Sequence, residues 1–295
     1  MEPWILVTFL AASVQTVRFM LQKKLAAKTL SATGATFSRF LFSAPLAALG
    51  AILYLRLSGQ DVPERLPGFW TWAIVGGLAQ ILATVLTVSL FKHRNFAVGI
   101  TFKKTEVILS AIVGLVLLGD RLGPWAWAAI AIGLVGVLLL SDPPGGGSLI
   151  NRAAGIGLMS GLAFAFAGVG YRGAVLALDT TDPLLRAVVG VTIVTAMQTV
   201  GMWLWLMWRE PGEVGRVARS WRVSSIVGIT SVIGSGSWFT AFAMQTAALV
   251  YAVGQVELIL SALVALFIFG ERISRREWMG MLVLGASILL LILTR

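Results

Sequence analysis

The sequence contains no cysteine and a single histidine, so a disulfide framework and thiolate metal sites are excluded. Charged side chains are also scarce: they make up 12% of the 295 residues, against 58% hydrophobic residues. This composition is too apolar for a soluble globular protein of this length. It predicts an all-α membrane protein that crosses the bilayer several times.

Acidic residues are the rarer charged group, with 13 Asp and Glu against 23 Lys and Arg, which gives a net charge of +10. A basic chain could bind nucleic acid, but these cations are dispersed through short loops, without a basic tail or an RNA-binding signature. We therefore expect no nucleic-acid partner. The sequence also lacks a Walker sequence, a metal-ligand cluster and a nucleophile constellation. We expect neither enzymatic activity nor a metal or other cofactor.

Ten apolar stretches approach the roughly 20 residues that a helix needs to cross the hydrocarbon core. Strands of a membrane barrel would alternate between apolar and polar residues, and this pattern is absent. The first stretch has no cationic segment before it, which predicts a first span and not a cleaved signal peptide. The predicted spans are approximately 4–24, 32–55, 69–91, 97–118, 124–141, 153–175, 184–208, 224–244, 248–269 and 276–294.

One stretch of sequence occurs twice. Residues 106–121 read EVILSAIVGLVLLGDR and residues 257–272 read ELILSALVALFIFGER, with nine of sixteen positions identical at an offset of 151. Five spans per half is an odd number, so the second half enters the membrane in the opposite direction. This predicts two inverted-topology repeats that work by alternating access. We expect a first repeat at 1–141, a Pro/Gly linker at 142–152 and a second repeat at 153–295.

The distribution of Lys and Arg predicts an orientation in the membrane. The odd-numbered loops between spans carry thirteen of these residues, whereas the termini and even-numbered loops carry five. The positive-inside rule then places the odd-numbered loops in the cytoplasm and both termini outside, for a protein of the inner (plasma) membrane.

The sequence resembles the drug/metabolite transporter superfamily, specifically its EamA-type members. The resemblance consists of the ten spans, the duplication, and the GDR and GER sequences that end spans four and nine. Arg39, in SRFLF, matches an RF pattern common in the second span of that family, and Arg186, in LLRAV, is its counterpart in span seven. The resemblance implies a central cavity lined by spans 1–4 and 6–9, with spans 5 and 10 peripheral. It also implies export or exchange of small metabolites without ATP. Characterised relatives move amino acids, amines, nucleotide sugars, sugar phosphates or drugs.

The sequence departs from the family in two respects. Family members commonly have cytoplasmic termini, opposite to the charge count. A proline often follows the Glu of the repeated helix, and Val107 and Leu258 replace it here. The resemblance therefore does not extend to the helix kink that such a proline produces.

Ionisable residues inside predicted spans are candidates for function, because a charge at the bilayer centre costs about 2.5–3.5 kcal/mol on insertion scales. Cations outnumber acids, and a net-positive cavity favours a ligand with a carboxylate or phosphate group. Trp238 is the one tryptophan well inside a predicted span, and Gln80 is a polar group in apolar surroundings. We expect the substrate-binding residues to be Lys104, Lys103, Arg18, Arg39, Gln80 and Trp238. The alternative for the two lysines is an interfacial position from which they reach the headgroups.

Glu106 and Glu257 occupy equivalent positions of the repeat, which favours a shared structural role. We expect them to pair with Arg39 and Arg186, so that each half neutralises its own buried charge. The alternative is a protonatable carboxylate that couples transport to a proton gradient.

The sequence thus predicts a secondary active transporter that exports a small carboxylate-bearing metabolite and functions as a monomer in the lipid bilayer. The preference for amino acids or related compounds comes from the family resemblance alone. One alternative is an exchanger of phosphorylated or other organic-anion substrates. Another is a lipid-handling membrane protein whose basic residues bind headgroups, in which case Lys103 and Lys104 would face lipid.

Overall fold

The computed structural model describes residues 2–90, 103–140, 152–260, 263 and 274–293. Eleven helices and no β-strand occur among them, apart from one isolated bridge between Arg65 and Leu178. The helices are α1 (Pro3–Lys28), α2 (Ala32–Ser58), α3 (Phe69–Leu90), α4 (Glu106–Leu118), α5 (Pro124–Leu140), α6 (Arg152–Leu176), α7 (Pro183–Arg209), α8 (Glu213–Arg219), α9 (Trp221–Met244), α10 (Ala247–Gly254) and α11 (Arg275–Leu293).

Six of these helices are long and apolar enough to cross a membrane, namely α1, α2, α3, α6, α7 and α9. Shorter apolar helices occupy the other four predicted spans, partly because 97–102, 261–262 and 264–269 lie outside the described residues. The all-α, multi-pass prediction is confirmed. Except for Arg152, the predicted linker 142–152 also lies outside the described part of the chain. The helix α8 was not predicted, since the loop before span eight is polar.

Two helix starts follow directly from their sequences. The Ser31 side chain accepts a hydrogen bond from the Gly34 backbone N–H and so caps α2. Asp182 accepts from two backbone N–H groups of α7, and Pro183 follows as the first helical residue. Both arrangements satisfy donors that a helix start leaves without partners.

Close helix packing depends on small residues. The helix α3 runs antiparallel along α6, and their backbones touch where Gly76 meets Gly170. A Cβ added at Gly170 would lie 2.7 Å from the Gly76 Cα, so neither position has room for a side chain. Membrane helices associate through such contacts, because lipid is as apolar as the helix surface. Further extensive pairings are α1 with α9, α2 with α7, α2 with α9, and α5 with α11.

Two helices begin in the middle of the molecule. Lys104 and Thr105 form a turn, after which α4 starts at Glu106. In the second half, α10 ends at Gly254, Gln255 forms a turn, and residues 256–260 are helical again. Although the family's proline is absent, a turn lies just before the repeated Glu in both halves. Each Glu therefore lies in the first turn of a new helix, where the helix dipole stabilises a negative charge.

Candidate functional site

Four charged side chains from the two repeats meet in a buried network. The Lys104 Nζ lies 3.1 Å from the Glu257 Oε2 and 3.8 Å from the Glu106 Oε1. The Lys103 Nζ lies 3.3 Å from the Glu106 Oε2. The predicted pairing of the two acids with arginines is therefore wrong: neither Arg39 nor Arg186 takes part in an ion pair among the described residues. The turn that precedes α4 brings the lysines closer to the acids than the arginines of α2 and α7.

Gln15 of α1 connects this network to two further groups. Its Nε2 donates to the Glu257 Oε2 at 3.3 Å. Its Oε1 accepts from the Trp238 Nε1 and from the Arg18 Nη2, both at 3.1 Å. The amide therefore uses donor and acceptor to hold a carboxylate, an indole and a guanidinium around one point. The only signal of this role in the sequence is that Gln15 is a polar residue within an apolar span.

Two guanidinium groups are buried without a carboxylate partner among the described residues. Arg39 is 5% exposed and donates only to hydroxyl groups, those of Thr84 at 3.3 Å and Ser235 at 3.0 Å. Gln80 also donates to the Thr84 hydroxyl, at 3.0 Å. Arg18 is 2% exposed, and its Nε has no hydrogen-bond partner. Burial of a charge is costly unless it is paired, so these arginines leave the site with an excess of positive charge.

The network borders a narrow cavity of about 20 Å³, which has room for about one water molecule. One wall is aromatic: the Trp238, Phe242 and Tyr251 rings lie 5.5 to 5.9 Å apart between centroids. The Tyr251 hydroxyl donates to the Phe164 carbonyl at 2.9 Å, which fixes the ring against α6. The lining residues are Gln15, Arg39, Gln80, Lys104, Glu106, Phe164, Tyr171, Ser235, Trp238, Phe239, Phe242, Tyr251, Gly254 and Glu257.

The predicted binding residues divide into two groups in the structure. Lys104, Arg39, Gln80 and Trp238 line the cavity, as do both acids. Lys103 and Arg18 lie behind its wall. The Lys103 Nζ is 4.4 Å from the centroid of the Phe164 ring, and Arg18 reaches the site only through Gln15.

Arg186 does not reach the cavity. It lies in the first turn of α7, near the end of the membrane span, and is half-buried. The aromatic wall was missed apart from Trp238. Tyr251, a hydroxyl-bearing ring inside an apolar span, was the available signal.

One membrane end of the site is held by Arg172 of α6. Its guanidinium makes two bonds to the Asp120 carboxylate, at 2.9 and 3.2 Å. Its Nη1 also donates to the carbonyls of Phe242 and Gln245, at 2.9 and 2.7 Å. Asp120 belongs to the duplicated motif at the end of α4, and its partner lies on a different helix. This contact joins the ends of α4, α6 and α9 beside the aromatic wall.

The start of α7 is tied to the end of α2 at the same membrane end. The Tyr54 hydroxyl donates to the Asp182 Oδ2 at 2.6 Å. Partial burial raises the pKa of Asp182, but hydrogen bonds from Tyr54, Gln60 and two backbone N–H groups outweigh it, and the pKa lies below its usual value.

Residues 2–142 match the model of the EamA-like transporter family. A solved crystal structure, described only as that of a protein, has the same fold: the TM-score is 0.71, with 16% sequence identity over 99% of this chain and 97% of the other. None of the curated proteins compared with the chain matches it. Over residues 2–142 the chain is similar to the EamA-like transporter family, as its motifs predicted, and this match together with the apolar helices indicates a multi-pass membrane transporter of small molecules.

Proposed function

We propose that the protein is a secondary active transporter that moves a small carboxylate-bearing metabolite across the inner membrane by alternating access. Amino acids or related compounds, carried in the export direction, are the preferred substrates because of the family resemblance. The family is one of non-enzymatic transporters, and the protein is proposed to function as a monomer. The odd-numbered loops are proposed to lie in the cytoplasm.

The observation that carries this proposal is the position of Arg39. It lines the cavity, is buried, and among the described residues donates only to the neutral hydroxyls of Thr84 and Ser235. Lys104 also lines the cavity, but it is already held by two carboxylates. Charge-assisted hydrogen bonds are about twice as strong as neutral ones, and a guanidinium can hold a carboxylate with two of them. A substrate carboxylate would therefore replace the hydroxyls on Arg39 more readily than it would replace Glu257 on Lys104.

Helix pairing supports the inverted repeat, with units at 1–141 and 153–295 and a linker at 142–152. In the repeat, α3 of the first half corresponds to α9 of the second half, and α1 corresponds to α6. The equivalent of the α3–α6 pair is therefore the α9–α1 pair, and both pairings are extensive. Two further extensive pairings, α2 with α7 and α5 with α11, join a helix to its own counterpart. Thr192 contacts Ala47 where α7 passes α2, and Ser287 contacts Ala129 where α11 passes α5.

Both counterpart pairs run antiparallel, as halves of opposite direction require. In the first pair Asp182 meets Tyr54, and in the second a Cβ at Gly136 would meet Leu284. Two helices that begin at the centre of the molecule are also typical of transporters with a binding site near the bilayer midplane.

The acids are proposed to be structural counter-ions. Glu106 and Glu257 are each held by a lysine, and replacement of one partner would leave a buried charge. A role of either acid in proton coupling remains the alternative, and it predicts that uptake driven by a pH gradient is lost in Glu106→Gln or Glu257→Gln.

Two other functions were considered. An exchanger of phosphorylated or other organic anions is favoured by the excess of positive charge that Arg18 and Arg39 leave at the site, since a dianion would offset more of this charge than a monoanion. Headgroup binding by the paired lysines has less support. Lys103 and Lys104 are 2% and 3% exposed and point into the protein, not to lipid.

The test is counterflow in proteoliposomes, with labelled amino acids and labelled phosphate esters as competing substrates. We expect amino acids to exchange in the wild type and in Arg186→Gln, and Arg39→Gln to lose at least about tenfold in rate, as removal of a charged hydrogen-bonding partner predicts. The variant Arg186→Gln is the matched control, because that arginine lies outside the cavity. Equal rates for the two variants would contradict the role of Arg39, whereas exchange of phosphate esters alone would favour the organic-anion alternative.

A further inference from the structure

A second cavity lies on the membrane-facing surface, between α3 and α7, and is separate from the central site. It has a volume of about 380 Å³ and its lining is almost entirely apolar. On the α3 side, Ile74, Leu78 and Leu82 are 45 to 63% exposed and border it. Two glycines, Gly77 and Gly201, leave room for this groove because they have no side chain.

The floor of the groove contains the Gln198 side chain, and both N–H groups of its amide already have partners. The Gln198 Nε2 donates to the Gly77 carbonyl and to the Tyr171 hydroxyl, both at 2.9 Å. The amide therefore faces the protein interior and offers no open donor to a ligand in the groove. An apolar chain can occupy this space without leaving a polar group unsatisfied.

One end of the groove leads to a cation. Gly201 and Trp205 line the α7 side, and Arg209 follows one turn later on the same helix face. Arg209 is exposed, lies 4.3 Å from the centroid of the Trp208 ring, and takes part in no ion pair among the described residues. This end of the groove lies on the side of the membrane where the basic odd-numbered loops are.

The nearby acid does not neutralise this end. Glu210 accepts hydrogen bonds from the hydroxyls of Ser31 at 2.6 Å and Thr33 at 2.9 Å. These bonds hold its carboxylate at the start of α2. Among the residues that the structure describes, Arg209 thus remains without an acidic partner where the groove meets the membrane surface.

We propose that the groove between α3 and α7 binds an anionic phospholipid, with an acyl chain along Leu78, Gly77 and Gly201 and the phosphate beside Arg209. An aromatic residue followed by a cation at the end of an apolar groove matches the order of groups in such a lipid, from chain to headgroup. A single arginine near an anionic headgroup contributes about 1 kcal/mol, equal to about fivefold in affinity. The site is independent of the substrate proposed for the central cavity.

The test is native mass spectrometry of the purified full-length protein with phosphatidylglycerol or phosphatidylcholine of identical acyl chains. We expect the wild type to retain phosphatidylglycerol about fivefold more tightly than phosphatidylcholine. Arg209→Gln should remove this preference and leave phosphatidylcholine binding unchanged. Arg222→Gln is the matched control, since Arg222 is also exposed, on the same membrane side, and stacked on a neighbouring tryptophan.

A second pair of variants tests the acyl-chain site. Gly201→Leu fills the groove and should reduce retention of both lipids, whereas Gly50→Leu places the same side chain on another exposed helical glycine with free space around it. If Gly201→Leu does not fold, Ile74→Trp fills the groove from the α3 side. Equal retention of both lipids by the wild type, or equal retention by groove and control variants, would overturn the proposal.

Discussion

The ion pair between Lys104 and Glu257 should be strongly coupled, and a double-mutant cycle can measure this. Both side chains are buried, 3.1 Å apart, and Glu257 has one further described partner, the Gln15 amide. In Lys104→Met the Glu257 carboxylate loses its counter-ion. Removal of one member of a buried pair costs about 3–5 kcal/mol of unfolding free energy.

The variant of the partner residue, Glu257→Gln, should lose less unfolding free energy than Lys104→Met. In Glu257→Gln, Lys104 retains the Glu106 carboxylate at 3.8 Å, and the new amide can still bond to Gln15. In the double variant no charge is left unpaired by the change, because Glu106 keeps Lys103. The two losses should therefore be less than additive, by about 0.5–3 kcal/mol.

The assay is equilibrium unfolding in detergent, followed by tryptophan fluorescence, since Trp238 bonds to Gln15 beside the pair. Lys28→Met is the control. Lys28 is exposed at the end of α1 and should change stability by no more than about 0.5 kcal/mol. Losses that add to within about 0.5 kcal/mol would refute the coupling and with it the structural role of the two acids.

Three further predictions concern the ends and crossings of the helices. Arg172→Gln should destabilise the protein by about 1.5–3 kcal/mol in the same unfolding assay, because charged hydrogen bonds across three helices are lost, whereas Arg121→Gln, at an exposed position, should have little effect. Gly170→Ala should lower the unfolding free energy by at least about 1–3 kcal/mol, since its Cβ would meet the backbone of α3. Gly155→Ala is the control, and because Gly155 has free space around it this variant should be neutral or stabilising. Equal effects of the two variants would show that α3 and α6 do not pack as described. Because the pKa of Asp182 is lowered on folding, its stabilising contribution is present above the unfolded pKa of about 3.9 and is lost as the pH falls through the folded value. The stability difference between wild type and Asp182→Asn should therefore shrink as the pH is lowered below about 4, and a pH-independent difference would contradict the assignment.

The sequence predicted the helical membrane fold because apolar runs report directly on span length. It also identified Glu106 and Glu257 as equivalent residues, since the repeat is explicit. Their partners were not predictable, because a buried acid specifies a cation but not which one. Glu257 pairs with Lys104 and not with Arg39 because of a turn just before α4, and no proline in the sequence marks that turn.

The same limit applies to Arg172 and Asp120. Both are charged residues near predicted helix ends, and such residues usually pair or cap locally. Their contact depends on how α4 and α6 pack side by side, which periodicity along the chain does not encode. Gly254 was the one local signal for the second helix interruption, since glycine is common where a helix stops.

The buried ion network draws on the two repeats unequally. Each repeat supplies one acid, but both ammonium groups come from the first, and Gly254 and Gln255 stand at the equivalent positions of the second. An assembly of two second halves would enclose two carboxylates with no cation, and an assembly of two first halves would enclose four lysines around two carboxylates. Neither half can thus replace its partner or form a stable symmetric pair with itself. Because of this charge difference one first half must pair with one second half, and a single polypeptide that contains both ensures this pairing.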